Sequence, residues 1–146
     1  MRFSDETLYQ MKHSTSDGTV YERTGLGPTV VLVHGLGMNR AMWQWQLPAL
    51  IDDFDVLTYD LWGHGESSNP PSTPSLRLFS NQLIGLLNEA NVTTTAVVGF
   101  SIGGMIARRF AHDHPSRLSA LAILNSAHGR TLRETKAVQT RAEQSY

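Results

Sequence analysis

The chain has 146 residues, of which 40% are hydrophobic, with a formal net charge of −1 and no cysteine. This length suits one domain, and the near-neutral charge gives no sign of a nucleic-acid or anionic-membrane partner. The absence of cysteine excludes disulfides and thiol catalysis. No apolar stretch approaches the length of a membrane span, and no signal peptide is visible, so we expect a cytoplasmic protein without a membrane partner.

The amino-terminal part of the chain is predicted to form two edge strands. Residues 7–12 and residues 19–23 have strand-like composition, and Ser16-Asp17-Gly18 between them is typical of a turn. Residues 24–28 are rich in glycine but lack the G-x-G-x-x-G spacing and a preceding buried strand. We therefore interpret them as a turn and not as a phosphate-binding loop.

A buried strand is predicted next, over residues 29–33. Its apolar residues run without alternation, which is typical of a parallel strand covered on both faces. The strand leads into the glycine-rich run His34-Gly35-Leu36-Gly37, after which Asn39 is placed to cap a helix that runs toward Leu50. Loops at the carboxyl ends of such strands hold the ligand sites of α/β sheets. We therefore expect the backbone N–H of Leu36 to face a ligand site.

A further strand is predicted to end at Asp60, before the glycine-rich turn of residues 61–67. Asp60 and His64 have the side chains of a catalytic pair, but we interpret them as structural groups that hold this turn. The next helix is predicted to begin at Thr73-Pro74, as cap and first residue. Its apolar positions at helical spacing predict a face that packs in the core; they are Phe79, Leu83, Leu86 and Leu87.

The segment from Val97 to Gly104 has the pattern G-x-S-x-G between an apolar run and a helical pattern. We expect a sharp turn from a strand into a helix, with Ser101 in a backbone conformation that is strained for a residue other than glycine. Gly99 and Gly103 suit the close approach of strand and helix. This turn exposes the Ser101 hydroxyl as a candidate nucleophile. The N–H of Ile102 then joins that of Leu36 as a candidate pair of oxyanion donors.

Three motifs together resemble the α/β-hydrolase family over residues 29–125. They read H-G-L-G, D-L-W-G-H-G-E-S and G-F-S-I-G-G in this sequence. The resemblance implies that Ser101 is the nucleophile and that Leu36 and Ile102 supply the backbone oxyanion donors. Within the family the sequence is most similar to small esterases, enol-lactonases and cofactor-free perhydrolases. A serine at this position argues against the dehalogenase and epoxide-hydrolase branches, which carry aspartate there.

The sequence departs from the family where the catalytic acid and histidine are expected, because in the family both follow the serine. His112, Asp113 and His114 lie at the far end of the predicted helix, with His112 about 16 Å from Ser101 at a rise of about 1.5 Å per residue. We interpret His128 as a cap or pocket residue. The chain is therefore expected to be an amino-terminal portion of a longer hydrolase that has little or no triad activity alone.

The fold class predicted from these elements is α/β, with a doubly wound, mostly parallel sheet in an incomplete α/β-hydrolase fold. Residues 1–125 are predicted to form the amino-terminal part of the core domain, and residues 126–146 the start of a helical cap or a disordered tail. The apolar strand predicted over residues 118–124 lacks an outer neighbour. Such an exposed edge favours self-association.

The predicted function of the complete protein is hydrolysis of carboxylic esters or lactones through an acyl-enzyme on Ser101, with no cofactor or metal. Gly35, Met38 and Phe100 are predicted to line the substrate pocket, and Trp62 and Met105 are further candidates. Two alternatives stay open: a perhydrolase or acyltransferase on the same scaffold, and a short binding module without catalysis. The obvious basic residues are expected to face solvent; they are Arg40, Arg108 and Arg109.

Overall fold

The computed structural model describes residues 11–127, together with Lys136 and Thr140. Six strands form one sheet in the order β1-β2-β4-β3-β5-β6. The strands are β1 (Met11–Ser14), β2 (Val20–Thr24), β3 (Thr29–Val33), β4 (Asp55–Tyr59), β5 (Thr95–Phe100) and β6 (Leu118–Leu124). The four strands from β3 to β6 are parallel, whereas β1 and β2 are antiparallel additions at one edge. This mixed sheet confirms the predicted α/β class.

Helices cover both faces of the sheet, as the doubly wound prediction requires. Between residues 11 and 127 the helices are α1 (Leu47–Leu50), α2 (Leu76–Glu89) and α3 (Ile102–Asp113), with short 3-10 turns at Arg40–Trp43 and Pro115–Arg117. The main core lies between the sheet and α2 and α3, and it includes the four residues predicted for the apolar face of α2. A smaller core lies on the opposite face, where α1 and the first 3-10 turn pack on β3 and β4. The central strand β3 is therefore buried on both sides.

The helix predicted from Asn39 to Leu50 is wrong, because the structure has two short pieces there. Asn39 does cap a helical turn, since its side chain accepts the backbone N–H of Ala41 at 2.9 Å, but that turn is a 3-10 helix that ends at Trp43. Pro48 gives the physical reason for the break. It has no N–H to donate to the carbonyl of Gln44, so it fits the first turn of α1 but disrupts a helix that continues from Trp43.

The predicted start of α2 at Thr73-Pro74 is also wrong. The helix begins two residues later, at Leu76, and Ser75 is the cap. Ser75 has extended backbone angles, and its hydroxyl accepts the backbone N–H of Leu78 at 3.0 Å. A serine in this position satisfies one of the free N–H groups of the first turn.

The outer strands match the prediction only in part. Strand β2 runs over Val20–Thr24, one residue later than the predicted range. Strand β1 runs over Met11–Ser14, and of the predicted range 7–12 only its last two residues belong to the described part of the chain. Within that part no helix is long and apolar enough to cross a membrane.

Strand β6 forms the other edge of the sheet and is poorly covered. Five of its seven residues are exposed, including Leu121 at 39% and Leu124 at 44% of their full accessible area. Helix α3 packs beside β6 on one face. The opposite face carries Ala120, Ala122 and Leu124 next to the half-buried Val98 and Phe100 of β5. The predicted apolar edge strand is therefore present.

Candidate active site

Ser101 lies in a sharp turn between β5 and α3. Its backbone angles are φ 55° and ψ −119°, in the left-handed half of conformational space that favours glycine. The two flanking glycines are required by space, because a Cβ on Gly99 would lie 2.2 Å from the carbonyl oxygen of Gly103. The Ser101 N–H donates to the Leu124 carbonyl of β6 at 2.9 Å. The chain thus turns tightly enough to present the serine at the carboxyl edge of the sheet.

The start of α3 lies directly on the end of β3. A Cβ on Gly103 would lie 2.3 Å from the carbonyl oxygen of Val33 and 2.7 Å from that of His34. This contact brings the Ile102 backbone and the loop that follows β3 to the same edge of the sheet. Among residues 11–127, neither the Leu36 N–H nor the Ile102 N–H donates to any protein acceptor. Within this part of the chain, both groups are therefore without an acceptor.

Gly35, Phe100 and Met38, the three predicted pocket residues, lie together. A Cβ on Gly35 would lie 3.0 Å from Phe100 Cδ1 and 3.2 Å from Met38 Sδ. Met38 is 41% exposed and the neighbouring Leu36 is 71% exposed, so this side of the site is open in the described structure.

The interpretation of Trp62 as a pocket residue is wrong. Its side chain is buried in the main core beside α2, and its Nε1–H donates to the Asp17 carbonyl at 3.3 Å. Met105, the other further candidate, is half-buried in α3, one turn after the serine. Large aromatic side chains are more often part of the core than of a pocket, and Trp62 is an example.

Two histidines hold the loop after β3. His34 is fully buried; its Nδ1 bonds to the Gly35 carbonyl at 2.8 Å, and its Nε2 accepts the Leu61 N–H at 3.0 Å. His64 Nε2 accepts the Gly37 N–H at 3.1 Å, and the two rings are 5.1 Å apart. Burial lowers the pKa of His34, which keeps the ring neutral. The sequence missed both contacts, although a histidine at the end of an unbroken apolar strand signals burial.

Asp60 organises the turn after β4, as predicted. Its side chain is fully buried; Oδ1 accepts the Arg40 backbone N–H at 2.7 Å and Oδ2 accepts the Glu66 N–H at 2.9 Å. Gly65 must lack a side chain, because a Cβ there would lie 2.2 Å from Asp60 Oδ2. The carboxylate is therefore enclosed by the turn that it holds.

The expectation that Arg40 faces solvent is wrong. Its side chain is only 11% exposed, and its guanidinium pairs with Asp60, with Glu66 at 2.6 Å and with Glu22 at 3.3 Å. Burial alone would lower the pKa of Arg40, but the three carboxylates raise it above its ordinary value. Arg40 is turned inward and not toward solvent because the buried carboxylate of Asp60 needs a counter-charge. A cavity of about 310 Å³ adjoins this cluster and does not include Ser101.

Arg108 and Arg109 are also engaged, contrary to expectation. Both are half-buried; Arg108 donates to the Ala127 carbonyl, and Arg109 Nε donates to Asp113 Oδ2 at 2.9 Å. The hydrogen bond from Arg109 lowers the pKa of Asp113. Asp113 is thus committed to an ion pair at the end of α3.

No described residue activates the serine, since Ser101 Oγ has no hydrogen-bond partner within residues 11–127. His112 lies in the last turn of α3, and His114 caps that helix with its ring 5.3 Å from Phe110. His128 lies outside the described residues. The described part of the chain also has no cluster of three His, Cys, Asp or Glu side chains that could hold a metal ion.

Comparison with known proteins shows similarity to one family of hydrolases. Residues 28–144 match the family of the α/β-hydrolase fold. An uncharacterized protein of Mycobacterium tuberculosis is 36% identical over 107 residues, which cover 73% of this chain and 31% of that protein. The bifunctional epoxide hydrolase 2 of Sus scrofa is 35% identical over 105 residues, which cover 70% of this chain and 19% of that protein.

Solved structures show the same similarity. A thermophilic esterase from Thermogutta terrifontis has a TM-score of 0.77 and 29% identity, with 93% of this chain and 53% of the esterase covered. The chain thus spans about half of that structure and 31% or less of the two curated relatives. The match over residues 28–144 extends from β3 past α3 and β6, and so includes every motif described above. The chain belongs to the α/β-hydrolase fold family.

Proposed function

We propose that the whole protein is a serine hydrolase that cleaves carboxylic esters or lactones through an acyl-enzyme on Ser101. The observation that carries the proposal is the backbone of Ser101, a residue other than glycine held at φ 55° and ψ −119°. Such strain costs roughly 1–3 kcal/mol and is typical of functional sites. A chain that needed only a turn here would be more stable with glycine at this position.

The proposed reaction is acyl transfer to water. Ser101 Oγ attacks the carbonyl carbon while its proton passes to a histidine base, and the Leu36 and Ile102 N–H groups bind the oxyanion. The base returns the proton to the departing alkoxide. Water then attacks the acyl carbon and gives a proton to the base. As the bond from the acyl carbon to Ser101 Oγ breaks, the base passes that proton to Oγ, so the carboxylic acid and free Ser101 are released. We place the base and its carboxylate partner beyond residue 146.

The relatives support both the reaction type, which is hydrolysis, and the choice of an ester as substrate. One is an esterase and another an epoxide hydrolase, so hydrolysis of a small molecule is common to both. Ser101 favours the ester over the epoxide as substrate, because the family resemblance gives the epoxide-hydrolase branch an aspartate here. Gly35, Met38 and Phe100 are then the proposed lining of the acyl pocket, and residues from 126 onward the start of the cap above it.

A fluorophosphonate probe tests the proposal on the whole protein, since it reacts only with an activated serine. We expect labelling that is lost in Ser101→Ala and kept in Ser116→Ala, a matched change at an exposed serine in the 3-10 turn after α3. Labelling of the whole protein that survives in Ser101→Ala would overturn the proposal. Added alcohols or peroxide in a product assay distinguish transfer to those acceptors from hydrolysis.

The same probe tests the chain of 146 residues alone. We expect little or no labelling of this chain when it is folded, because removal of a triad histidine costs several orders of magnitude in rate. A normal burst of acyl-enzyme from the isolated chain would show that a base lies within its own residues.

We also propose that the isolated chain self-associates through β6. The strand has seven residues without charge or proline, and five of them are exposed. Its free edge offers unpaired backbone groups to the same strand of a second copy. Sedimentation velocity is expected to show dimers or larger species, and a single monomer species at all concentrations would contradict this proposal.

A further inference from the structure

The orientation of the Leu36 N–H is determined by groups that hold its own peptide unit. That N–H belongs to the same peptide as the Gly35 carbonyl, and in a trans peptide the C=O and N–H point in opposite directions. The Gly35 carbonyl oxygen is bonded to His34 Nδ1 at 2.8 Å and accepts the Met38 N–H at 3.1 Å. The two hydrogen bonds that hold the Gly35 carbonyl oxygen therefore also fix the opposite direction in which the Leu36 N–H points.

The hydrogen bonds of His34 settle which of its ring nitrogens bears the proton. Nε2 accepts the Leu61 N–H at 3.0 Å, so this nitrogen is unprotonated. The neutral ring must then carry its proton on Nδ1, which donates to the Gly35 carbonyl. The ring is fully buried and links the turn after β4 to the peptide between Gly35 and Leu36.

His64 repeats this arrangement one residue further along the loop. Its Nε2 accepts the Gly37 N–H at 3.1 Å, and its Nδ1 donates to the Trp62 carbonyl at 3.2 Å. Gly37 has φ 72° and a Cβ there would meet nothing within 4 Å, so packing does not hold this residue. The hydrogen bond that the Gly37 N–H donates to His64 therefore restrains the residue on the carboxyl side of Leu36.

We propose that His34 and His64 are positioning residues that together orient the Leu36 N–H toward the oxyanion of the reaction. They hold the residues on either side of Leu36, and neither acts on the substrate. The inference rests on the proposed function, because an oriented donor matters only if an oxyanion forms on a Ser101 adduct.

Two substitutions at His64 in the whole protein test the inference. The side-chain oxygen of His64→Gln stands where Nε2 stands and can accept the Gly37 N–H, whereas His64→Leu removes the acceptor at similar volume. With p-nitrophenyl acetate we expect kcat to fall by about 10- to 100-fold in His64→Leu, with KM changed little, because a misplaced donor weakens only the transition state. His64→Gln is expected to recover most of that loss.

The matched control is His112→Gln, in the exposed last turn of α3. It is expected to leave kcat and KM unchanged. Absence of Ser101-dependent hydrolysis in the unmodified protein would refute the proposed function and is seen before any His64 variant is made. Full kcat in His64→Leu, or equal losses in His64→Leu and His64→Gln, would overturn the positioning role alone.

A spectroscopic measurement checks the geometry independently of activity. Nitrogen-15 NMR of the imidazole rings is expected to show Nδ1–H tautomers for both His34 and His64 in the folded protein. The Gly37 amide is expected to exchange faster with solvent in His64→Leu than in His64→Gln. An Nε2–H tautomer at His64 would exclude the hydrogen bond on which the inference depends.

Discussion

At the scale of single residues, the candidate site depends on polar groups whose geometry is set by backbone contacts. The sharp turn at Ser101 could be predicted because its signal is local: two glycines flank the serine between a strand and a helix. Arg40 could not be predicted, because its carboxylate partners lie 18 to 26 residues away in sequence, in β2 and in the turn after β4. Contacts between distant segments leave no periodic pattern for a single sequence to reveal.

The strain at Ser101 predicts an unusual order of stability among its variants. Ser101→Gly is expected to be more stable than Ser101→Ala by about 1 kcal/mol, because glycine adopts positive φ without a Cβ clash. Urea denaturation measures the difference. At Ser116, where φ is not positive, the order should reverse, since glycine there only adds freedom to the unfolded chain. Equal stabilities for the two Ser101 variants would argue against strain.

The buried His34 predicts a loss of stability in mild acid. Its folded pKa lies below the ordinary value of 6.5, so the unfolded state binds more protons once the pH falls below about 6.5. The stability contribution is present above that pH and is lost as the pH falls toward the folded pKa. The carboxyls with lowered pKa, Glu66 and Asp113, titrate in more acidic solution, from 4.5 and 3.8 downward.

Urea midpoints at about pH 7.5 and about pH 5.5 measure this effect. We expect a lower midpoint at the acidic pH, because unfolding then lets His34 take up a proton that its buried site disfavours. A midpoint that does not change between the two values would contradict a lowered pKa for His34.

At the scale of elements, α3 lies so close to the strands beneath it that only glycine fits at residues 99 and 103, on either side of Ser101 in the turn between β5 and α3. The existence of β3, β4, β5, β6, α2 and α3 followed from apolar runs and helical spacing. Their ends were less predictable. Pro48 divides the first helix and Ser75 takes the capping role, and each outcome depends on which backbone N–H is free and not on periodicity.

Two glycines in helices are predicted to respond to alanine in opposite directions. Gly103→Ala is expected to destabilise the fold by at least about 2 kcal/mol, because its Cβ would lie 2.3 Å from the Val33 carbonyl oxygen and push α3 away from β3. Gly85→Ala in α2 meets only Asp17 Oδ2 at 3.5 Å, and should stabilise the protein by about 0.5–1 kcal/mol. Thermal or urea denaturation distinguishes them, and a neutral Gly103→Ala would mean that α3 can move.

At the scale of the whole molecule, the sheet is well covered at its centre and poorly covered at β6. The candidate nucleophile and the candidate oxyanion loop both follow central strands, whereas the apolar residues of β6 face solvent on one side. The sequence predicted this exposed edge, since a run of apolar residues without an outer neighbour was visible. It did not reveal how the turns after β3 and β4 are tied together.

A charge on β6 is predicted to reduce self-association of the isolated chain. Ala122→Lys places a cation on the exposed face of the edge strand, which disfavours pairing with a second copy. Sedimentation velocity should show a larger monomer fraction than in the unmodified chain. Asn81→Lys adds the same charge on the solvent side of α2 and should not change the distribution. An equal effect of both changes would indicate general repulsion and not an interface at β6.

The hydrogen bond from the Ser101 N–H to the Leu124 carbonyl ties a residue with strained backbone angles to an exposed edge strand. Edge strands fray through local opening events that need far less free energy than global unfolding. When β6 frays, Ser101 loses the acceptor that restrains it and can relax to ordinary backbone angles while β3 and β4 remain paired. In the chain of 146 residues, warming would therefore release the strained Ser101 conformation well before the sheet melts, so loss of that conformation and loss of the fold would be two separate transitions.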